Sequence, residues 1–317
     1  MNKSKYKEID LSKIKTFSMD ELSRKVEREE FASPLAGDAD IPDLFESFPN
    51  ILAAKDLREF ASLVAQSNRT SSSFMLLFGG HVIKTGLAPL LIDWINKGII
   101  TSMSTHGAGI IHDTEIALFG RTSEDVAEGL ADGSFGMSRE TAEFINTAIS
   151  NPANSELGYG EAVAFALLEA KAPFADMSLL CSAYNNNVPL TVHVGLGTDI
   201  IHQHPSADGS AIGKTSMRDF RILAEYVAKL NEHSVVMNLG SAVLMPEVFL
   251  KALSVARNLE YQAHRFTTAN FDMLTHYRPM QNILKRPTMT GGKYYNFIGH
   301  HEIMIPLLHA MVGLELK

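Results

Sequence analysis

Cysteine is almost absent from this sequence of 317 residues, which contains only Cys181. A single cysteine excludes an intramolecular disulfide framework and any zinc site made of cysteines alone. Long apolar runs are also absent, because none approaches the roughly 20 residues that span a bilayer. The N-terminal sequence MNKSKYKEIDLSKIK lacks the apolar core of a signal peptide. These absences predict a soluble, cytoplasmic protein with no membrane partner.

Basic residues are fewer than acidic ones. The chain has 28 Lys and Arg against 36 Asp and Glu, and its formal net charge is −8. No block of lysines or arginines interrupts this balance. Such a chain is poorly suited to the phosphate backbone of a nucleic acid, so no nucleic-acid partner is expected. The sign of the charge suits a cationic ligand better.

The first 50 residues differ from the rest of the chain. They are charged and irregular, and Pro34, Pro42 and Pro49 break any long helix. Such a segment is typical of an arm that packs on a neighbouring subunit, or of partial disorder. We therefore predict an N-terminal arm over residues 1–50 and a single large domain over residues 51–317.

Two apolar patterns alternate along the predicted domain. Short apolar runs closed by glycine, such as SSFMLLFGG (72–80), predict buried strands. Segments such as KDLREFASLVAQS (55–67) space their apolar residues as an α-helix does. Strands that alternate with helices predict an α/β fold, with a mainly parallel sheet and helices on both of its faces.

The turns after the predicted strands are candidate ligand sites, because parallel sheets bind ligands at the carboxyl ends of their strands. These turns are GGH (79–81), STHGAG (104–109), GLGTD (195–199), NLGSA (238–242) and TTANFD (267–272). Small residues let a ligand approach the backbone, and a following helix N-terminus favours anions. None of the turns is a full G-x-G-x-x-G, so turn chemistry alone favours ordinary turns over a dinucleotide site.

Twelve histidines raise the possibility of a metal site. His202 and His204 form a His-x-His pair, and His112 shares a helical face with Glu115. However, the sequence has no H-E-x-x-H motif, and Pro205 disfavours a regular strand at the His-x-His pair. We therefore predict no metal, and we interpret these histidines as hydrogen-bonding groups around a polar ligand.

Acidic residues form a further candidate set, because four of them lie at or just after predicted strand ends: Asp113, Asp199, Glu247 and Asp272. Each is equally consistent with a helix cap or with a partner of a helix dipole. If these acids converged on one rim of the sheet, they would suit a ligand with several amines. The reason is that each ammonium removed from water needs a charged partner.

The candidate turns belong to four blocks: GGHVIKTGLAPLLIDWINKGIITSMSTHGAGIIHDTEIALFG, VPLTVHVGLGTDIIHQHPSADGSAIG, NLGSAVLMPEVFLKALSVARN and TTANFD. In order and spacing they resemble deoxyhypusine synthase, and more closely the bacterial deoxyhypusine synthase-like branch of that family. The resemblance covers roughly residues 70–310. It implies a Rossmann-like α/β subunit in a homotetramer, with NAD bound near the subunit interfaces.

The resemblance also implies a reaction. NAD takes hydride from the carbon beside the secondary amine of spermidine, and the resulting imine loses 1,3-diaminopropane. The aminobutyl unit passes, through an imine on an enzyme lysine, to an acceptor amine, and NADH reduces the product imine. The acceptor is a protein lysine in deoxyhypusine synthases and putrescine in homospermidine synthases of the family. We therefore expect an NAD-dependent aminobutyltransferase that acts on spermidine or a related polyamine.

Individual residues take roles from the resemblance. The implied cofactor contacts lie in the strand-end turns and the start of the helix after one of them, at Gly80, His81, Thr105, Gly107, Asp113, Gly240, Ser241, Thr268 and Ala269. Asp199 and Asp272 fall in the substrate pocket, and His202 lines it. Lys285 falls near the imine-forming lysine if two residues are inserted before YYNFIGHHE, and Lys293 is the alternative.

Some positions depart from the family pattern. Glu247 stands where the family has an active-site histidine, and we expect it to act in catalysis. Ile283 replaces a tryptophan that precedes the catalytic lysine. His300 replaces an aspartate of the last cofactor-binding turn, and we expect it to contact the substrate.

Two other functions stay open at this point. One is a metal-dependent hydrolase of an amine or amide, in which His112, His202, His204 and His300 hold a metal that activates water. The other is a protein that keeps the fold and binds polyamine or NAD without transferring a group.

Overall fold

The computed structural model describes residues 4–151 and 154–317, and the chain divides into two compact units, Met1–Lys55 and Asp56–Lys317. The first unit contains 3₁₀-helices at Leu11–Lys13, Met19–Glu21 and Arg28–Glu30, and then helix α1, Ile41–Glu46. Side chains of Asp10, Ser18 and Asp40 cap these short helices. Large apolar side chains of this unit, such as those of Ile14 and Phe17, are exposed. Local capping therefore contributes more to its conformation than an apolar core does.

A parallel sheet of six strands forms the centre of the second unit. The strands are β1 (Phe74–Phe78), β2 (Ser102–Thr105), β3 (Leu190–Val192), β4 (Val235–Leu239), β5 (Thr267–Asp272) and β6 (Tyr294–Ile298). Their order across the sheet is β3-β2-β1-β4-β5-β6, and every neighbouring pair is parallel. The sequence FMLLF of β1 is buried at every residue, because a parallel sheet is covered on both faces.

Helices connect the strands. They are α2 (Leu52–Arg69), α3 (His81–Lys84), α4 (Ala88–Asn96), α5 (Gly107–Phe119), α6 (Val126–Asp132), α7 (Arg139–Ser150), α8 (Tyr159–Glu169), α9 (Leu179–Asn185), α10 (Gly209–Ala228), α11 (Leu244–Asn258), α12 (Arg286–Thr288) and α13 (His301–Glu315). A π-helix at Pro279–Lys285 leads directly into α12. Short 3₁₀-helices occupy Ala175–Met177 and Ile200–Gln203. Among the described residues, no helix combines the length and apolar character needed to cross a membrane.

Apolar side chains pack on both faces of the sheet. On one face, Leu77 and Val236 belong to a buried cluster with Phe249 of α11 and Ile283 of the π-helix. On the other face, the ring of Phe60 in α2 lies within 6 Å of three rings, those of Phe271, Tyr295 and Phe297. The predicted α/β fold, with a parallel sheet between helices, is therefore confirmed, and the strand order is that of Rossmann-like folds.

The outer edge of β3 is covered by groups from two helices. The backbone N–H of Val192 donates to Oδ2 of Asp219 in α10 (2.7 Å), and the N–H of Gly160 in α8 donates to the same oxygen (3.1 Å). A Cβ on Gly160 would overlap the carbonyl oxygen of Leu190. Burial raises the pKa of Asp219 to about 7, although its hydrogen bonds act in the opposite direction.

Three local predictions need correction. The segment YYNFI forms β6, where no strand was predicted. The turn expected at TTANFD lies further along, because TTANFD is β5 itself, most of it within the predicted strand AHRFTTANF, and the chain turns only after Asp272. Helix α5 begins at Gly107, within the expected turn STHGAG, because His106 is the last residue with extended backbone.

Candidate functional site

The strand order changes direction between β1 and β4, and such a switch point is where open α/β sheets bind ligands. Gly79 follows β1 and Gly240 follows β4. A Cβ on Gly79 would overlap the carbonyl oxygen of Gly240, which itself has a φ of +64°. Glycine suits both positions, because a side chain at Gly79 would meet backbone and the left-handed φ of Gly240 favours glycine.

The turn after β1 packs on the start of α5. A Cβ on Gly80 would lie 3.1 Å from Cβ of Ala108 and 3.1 Å from Cδ2 of His112. This contact joins the switch point to the neighbouring turn after β2.

Asp199 and His202 form a buried polar pair beside the start of α5. Their side chains are 5% and 8% exposed, and Oδ2 of Asp199 lies 3.8 Å from Nε2 of His202. Nδ1 of His202 accepts a hydrogen bond from the N–H of Gly197 (3.2 Å), so Nε2 carries the ring hydrogen of the neutral imidazole. Within the described part of the chain, neither Oδ2 nor Nε2 has a hydrogen-bond partner. The pair therefore presents one free acceptor and one free donor.

Burial raises the pKa of the Asp199 carboxyl above its ordinary value, although His202 and the hydroxyl of Thr198 act in the opposite direction. A buried carboxylate oxygen without a donor is unfavourable, and a ligand that supplies a charged donor removes this penalty. Asp199 also lines a cavity of about 190 Å³, together with Lys84, His112 and Glu115. The arrangement suits an ammonium group that enters beside α5.

Two predicted cofactor contacts lie next to this pair, and both have partners within the chain. A Cβ on Gly107 would overlap the carboxylate of Asp199, so the glycine makes room for that side chain. Oγ1 of Thr105 donates to the carbonyl of Phe78 (2.9 Å) and is buried. Asp199 thus places negative charge at the N-terminus of α5, where a cofactor phosphate was expected.

Asp113 requires a correction. Its carboxylate accepts hydrogen bonds from the hydroxyl of Ser178 (2.5 Å) and from the N–H groups of Leu179 (2.7 Å) and Leu180 (3.1 Å). Burial raises its pKa to about 6, against the effect of these bonds. Asp113 therefore stabilises the N-terminus of α9, and its oxygens are not available to a cofactor.

Thr268 and Ala269 require a correction for a different reason, which is burial. Both lie inside β5 with no exposed surface, beneath the helices that cover the sheet. Of the predicted cofactor residues, Gly80, His81, Gly240 and Ser241 are the ones that the structure brings to the switch point. Oγ of Ser241 accepts a hydrogen bond from the N–H of Met245 at the start of α11 (3.2 Å).

The predicted acids do not converge on one rim. Asp272 ends β5, where Oδ1 accepts the N–H of Met273 (2.8 Å) and Oδ2 lies 4.0 Å from Nε2 of His276. Its strand is three strand spacings from β2, or roughly 14 Å, and Asp199 lies beside the end of β2. His300 is exposed at the start of α13, with Nδ1 3.7 Å from Oε1 of Glu302.

Glu247 and Lys285 are also separate from Asp199. Glu247, in the first turn of α11, forms ion pairs with Lys251 and Arg278 and accepts a hydrogen bond from Asn282 (2.9 Å). The hydrogen bond from Lys251 is the main reason that its pKa lies below the ordinary value. Lys285 ends the π-helix and is exposed. The single chain therefore does not form the expected pocket of acids around this lysine.

The histidines of the metal hypothesis have other partners. Nδ1 of His112 lies 2.7 Å from Oγ1 of Thr122, which donates to Glu115. Nδ1 of His204 lies 2.8 Å from Oγ of Ser206. In residues 4–151 and 154–317, no three His, Cys, Asp or Glu side chains are grouped as metal ligands would be.

His301 is a further polar residue of the switch point, outside the predicted site residues. It is 1% exposed, its ring centroid lies 5.6 Å from that of His81, and its Nδ1 has no partner among the described groups. Its burial could have been predicted from the spacing of apolar residues in the sequence. His301, Ile305, Leu308 and Val312 share the buried face of α13, whereas His300 precedes the helix.

The fold and this site define a Rossmann-like α/β protein with a glycine-bordered switch point and a buried acid beside it. No protein-family model matches the chain, and no curated protein matches it. Among solved structures, 62 chains match.

One matching structure is a provisionally assigned deoxyhypusine synthase from Entamoeba histolytica. It is 11% identical with a TM-score of 0.53, and the match covers 96% of this chain and 98% of that one. A provisionally assigned LOR/SDH protein from Methanococcus maripaludis S2 is 17% identical with a TM-score of 0.50, over 82% of this chain and 69% of that one. AgrE, solved with ornithine and NAD⁺, is 12% identical with a TM-score of 0.53. That match covers 83% of this chain, which spans only 34% of AgrE. At these identities the likeness shows a shared fold.

Proposed function

We propose that this protein is an NAD-dependent enzyme that moves an aminobutyl group from spermidine, or a related polyamine, to an acceptor amine. The observation that carries the proposal is the buried Asp199–His202 pair, whose Oδ2 and Nε2 lack partners in the described chain. A free carboxylate oxygen at the ligand-binding edge of the sheet suits an ammonium group. The fold-level likeness to a provisionally assigned deoxyhypusine synthase supports this reaction, and the likeness to AgrE, solved with NAD⁺ and ornithine, supports a site for NAD and an amine.

The residues at the switch point fit a dinucleotide. Gly79, Gly80 and Gly240 present backbone without side chains, and Ser241 precedes the 15-residue helix α11, whose N-terminus favours phosphate. The turn after β2 fits less well, because Asp199 would repel a phosphate at the N-terminus of α5. We therefore assign NAD to Gly80, His81, Gly240 and Ser241. When bound, NAD supplies a group that takes hydride from the carbon beside the amine and later returns it.

The groups of this chain bind and orient the amine. Oδ2 of Asp199 accepts a hydrogen bond from the substrate ammonium, and Nε2 of His202 donates to a second polar group. Ile111 and Ile200 line the same cavity and limit access of water. Exclusion of water matters because an imine in contact with bulk water is hydrolysed.

The acceptor that we propose is a small amine such as putrescine, with direct transfer between amines. An exposed lysine stays charged and hydrated, and only a neutral amine is a nucleophile. The exposed position of Lys285 therefore favours a route that needs no covalent enzyme imine. The four chains of the expected homotetramer would each carry an Asp199 site.

The test is a product assay with the full-length protein. With NAD and spermidine, and with or without putrescine, we expect 1,3-diaminopropane to form. Asp199→Asn removes the negative charge but keeps the size of the side chain. It should weaken spermidine binding roughly 10- to 100-fold, as expected for loss of a charged hydrogen bond, and leave NAD binding unchanged. Chromatographic detection of 1,3-diaminopropane and calorimetric titration measure the two effects.

Asp208→Asn is the matched control. Asp208 is exposed in the same connection, where it caps α10 by accepting the N–H of Ser210 (2.8 Å), and asparagine caps a helix equally well. This variant should behave as the wild type does. Absence of 1,3-diaminopropane with every acceptor tested would overturn the proposed activity, and equal affinities of the two variants for spermidine would overturn the role of Asp199.

A further inference from the structure

The cavity of about 190 Å³ that Asp199 lines runs along one face of helix α5. Four residues of that helix line it, at the three- and four-residue spacing that places side chains on one helical face: Ala108, Ile111, His112 and Glu115. Asp199 lies beside Gly107, the first residue of α5. The cavity therefore extends along the helix axis, from Asp199 at the N-terminal end towards Glu115.

Glu115 is a charged group at the far end of this cavity. It is 8% exposed, and its carboxylate accepts hydrogen bonds from the hydroxyls of Thr122 (2.5 Å) and Thr141 (3.2 Å). Burial acts to raise its pKa, but His112 and these hydroxyls outweigh burial, so the pKa lies below its ordinary value. Glu115 is therefore a carboxylate at neutral pH, and each of its oxygens can accept a further hydrogen bond.

Lysine and arginine side chains do not neutralise the two acids. Among the described residues, no Lys or Arg forms an ion pair with Asp199 or Glu115. Lys84 also lines the cavity, but it is exposed, and Glu124 adds a third carboxyl group to the lining. Acids thus outnumber lysines in the lining by three to one. Such a lining favours a cation with more than one charge, because each ammonium removed from water needs a charged partner.

The distance between the two acids matches the length of a polyamine. Gly107, beside Asp199, and Glu115 are separated by roughly 12 Å along the axis of an α-helix. The terminal nitrogens of extended spermidine are roughly 11 Å apart, at the advance per bond of an extended chain. Between the two acids, Ile111 and Ile200 supply apolar surface for the carbon chain.

The middle of the cavity lies beside the turn to which we assign NAD. Ala108 and His112 line the cavity, and a Cβ on Gly80 would lie 3.1 Å from Cβ of Ala108 and 3.1 Å from Cδ2 of His112. The secondary nitrogen of spermidine lies near the middle of the molecule, roughly 5–6 Å from either end. A molecule held at both ends would therefore place the carbon beside this nitrogen next to Gly80.

We propose that Glu115 is a second anchor for the substrate and that the cavity selects the donor amine by its length, an inference that rests on the proposed function. One terminal ammonium binds Oδ2 of Asp199, the other binds the carboxylate of Glu115, and the carbon chain lies along α5. The site then holds a linear triamine such as spermidine in one position, whereas a shorter diamine reaches only one of the acids. Glu115 thus determines specificity through binding.

Calorimetric titration of the full-length, NAD-free protein with linear amines tests the second anchor without turnover. The probe 1,8-diaminooctane has the end-to-end length of spermidine, 1-aminooctane lacks one of its two ammonium groups, and putrescine is too short to reach both acids. We expect the wild type to bind 1,8-diaminooctane roughly 10-fold or more tightly than either of the other two, because it gains a second charged hydrogen bond.

Glu115→Gln removes the charge, keeps the size of the side chain and can still accept the two threonine hydroxyls. It should abolish the preference for 1,8-diaminooctane over 1-aminooctane. Its affinity for 1-aminooctane, which Asp199 holds, should stay within roughly threefold and would show that the site is still folded. Glu128→Gln is the matched control, because Glu128 is exposed in α6 and is not part of the cavity lining. It should keep the wild-type preference.

The two proposals fail in different ways. If the wild type binds the three amines equally well, or if Glu115→Gln keeps the wild-type preference, the second anchor is wrong, and formation of 1,3-diaminopropane from spermidine and NAD still decides the proposed function. If Glu115→Gln loses a clear wild-type preference but no 1,3-diaminopropane forms, the proposed function is wrong and the two-acid amine site stands. A wild type that binds no amine would overturn both.

Discussion

The buried aspartates Asp113, Asp219 and Asp199 differ in the hydrogen bonds that their carboxylates accept. Asp113 accepts three hydrogen bonds at the start of α9, and Asp219 accepts the N–H groups of Gly160 and Val192. Asp199 is buried to a similar degree, but its Oδ2 has no donor in the described chain. The first two therefore stabilise the fold, whereas Asp199 is the one suited to a ligand.

The pKa of Asp219 leads to a prediction about stability. Its folded-state value of about 7 lies above the ordinary value of 3.8. The folded chain therefore binds more protons than the unfolded chain between these values, and the free energy of unfolding should fall as the pH rises from about 5 to about 8. In Asp219→Asn this fall should be smaller by roughly 1–3 kcal/mol. Urea unfolding at several pH values measures it.

Asp208→Asn controls for the loss of an exposed carboxylate and should keep the wild-type pH dependence. In Asp219→Asn the free energy of unfolding should still fall to some extent as the pH rises. The reason is that the pKa of Asp113, about 6 in the folded chain, is also raised by folding. Parallel pH curves for wild type and Asp219→Asn would contradict the prediction.

The sequence identified candidate residue types but could not assign their surroundings. Asp113 and Asp199 both follow predicted strands, and the difference between a capping acid and a free one depends on Ser178 and Leu179, which are distant in sequence. His300 and His301 are neighbours, yet only one lies on the buried face of α13. The helical spacing of the apolar residues in α13 could have predicted that His301 is buried. The partners of Asp113 could not be predicted in this way, because they are brought to it only by the folded chain.

At the level of elements, the start of α5 links the sheet to the proposed amine site. Gly107 is the first residue of the helix, and its missing side chain is the space that the carboxylate of Asp199 occupies. The position of the acid therefore depends on where one helix begins, as well as on the loop that carries Asp199.

Gly107→Ala should displace Asp199. We expect spermidine to bind at least tenfold more weakly, because the carboxylate must move, while NAD binding at the β1 and β4 turns should stay within a few-fold. Calorimetric titration with each ligand measures both affinities. Gly209→Ala is the control, since Gly209 is likewise the first residue of a helix and has no atom within 4 Å of the added Cβ. Unchanged spermidine affinity in Gly107→Ala would show that Asp199 does not contact the amine.

Strand prediction failed at one edge of the sheet, at β6. FMLLF of β1 is a continuous apolar run and VVMNL of β4 is nearly one, as is typical of a central parallel strand. YYNFI alternates between exposed and buried residues because successive side chains point to opposite faces of the sheet and only one face is well covered at β6. Its polar residues obscured the pattern. The strand predicted over AHRFTTANF is confirmed by the pairing of β5 with β4 and β6, although TTANFD contains small and polar residues that are typical of turns.

At the level of the whole molecule, the proposed ligand groups collect at the carboxyl ends of the strands, while the first unit carries exposed apolar side chains. Ile14, Phe17 and Phe31 of that unit are each more than 60% exposed. Apolar side chains in such numbers are unfavourable in water and suit an interface with another subunit. We propose that the partner is a second copy of this chain, in the expected homotetramer.

This proposal predicts a mass in solution near four times that of the 34.8-kDa chain. Replacing Ile14 and Phe17 together by serine should shift the protein to smaller assemblies, because apolar surface is lost from the interface. Sedimentation equilibrium measures the mass. Serine at Lys13 and Lys15, which are exposed neighbours, should leave it unchanged. A wild-type monomer at micromolar concentration would contradict the prediction.

The two edges of the sheet have different consequences for aggregation. At β3, Asp219 accepts the N–H of Val192, and Gly160 covers the carbonyl of Leu190, so another chain cannot readily add a strand. At β6, Tyr294 and Ile298 are exposed, and Lys293 at its start, paired with Glu59 (2.6 Å), places charged groups at this edge. Amyloid-like growth of a partly unfolded chain would therefore begin at β6. Loss of the positive charge at Lys293 would shorten the shelf life of the purified protein more than the same change near β3.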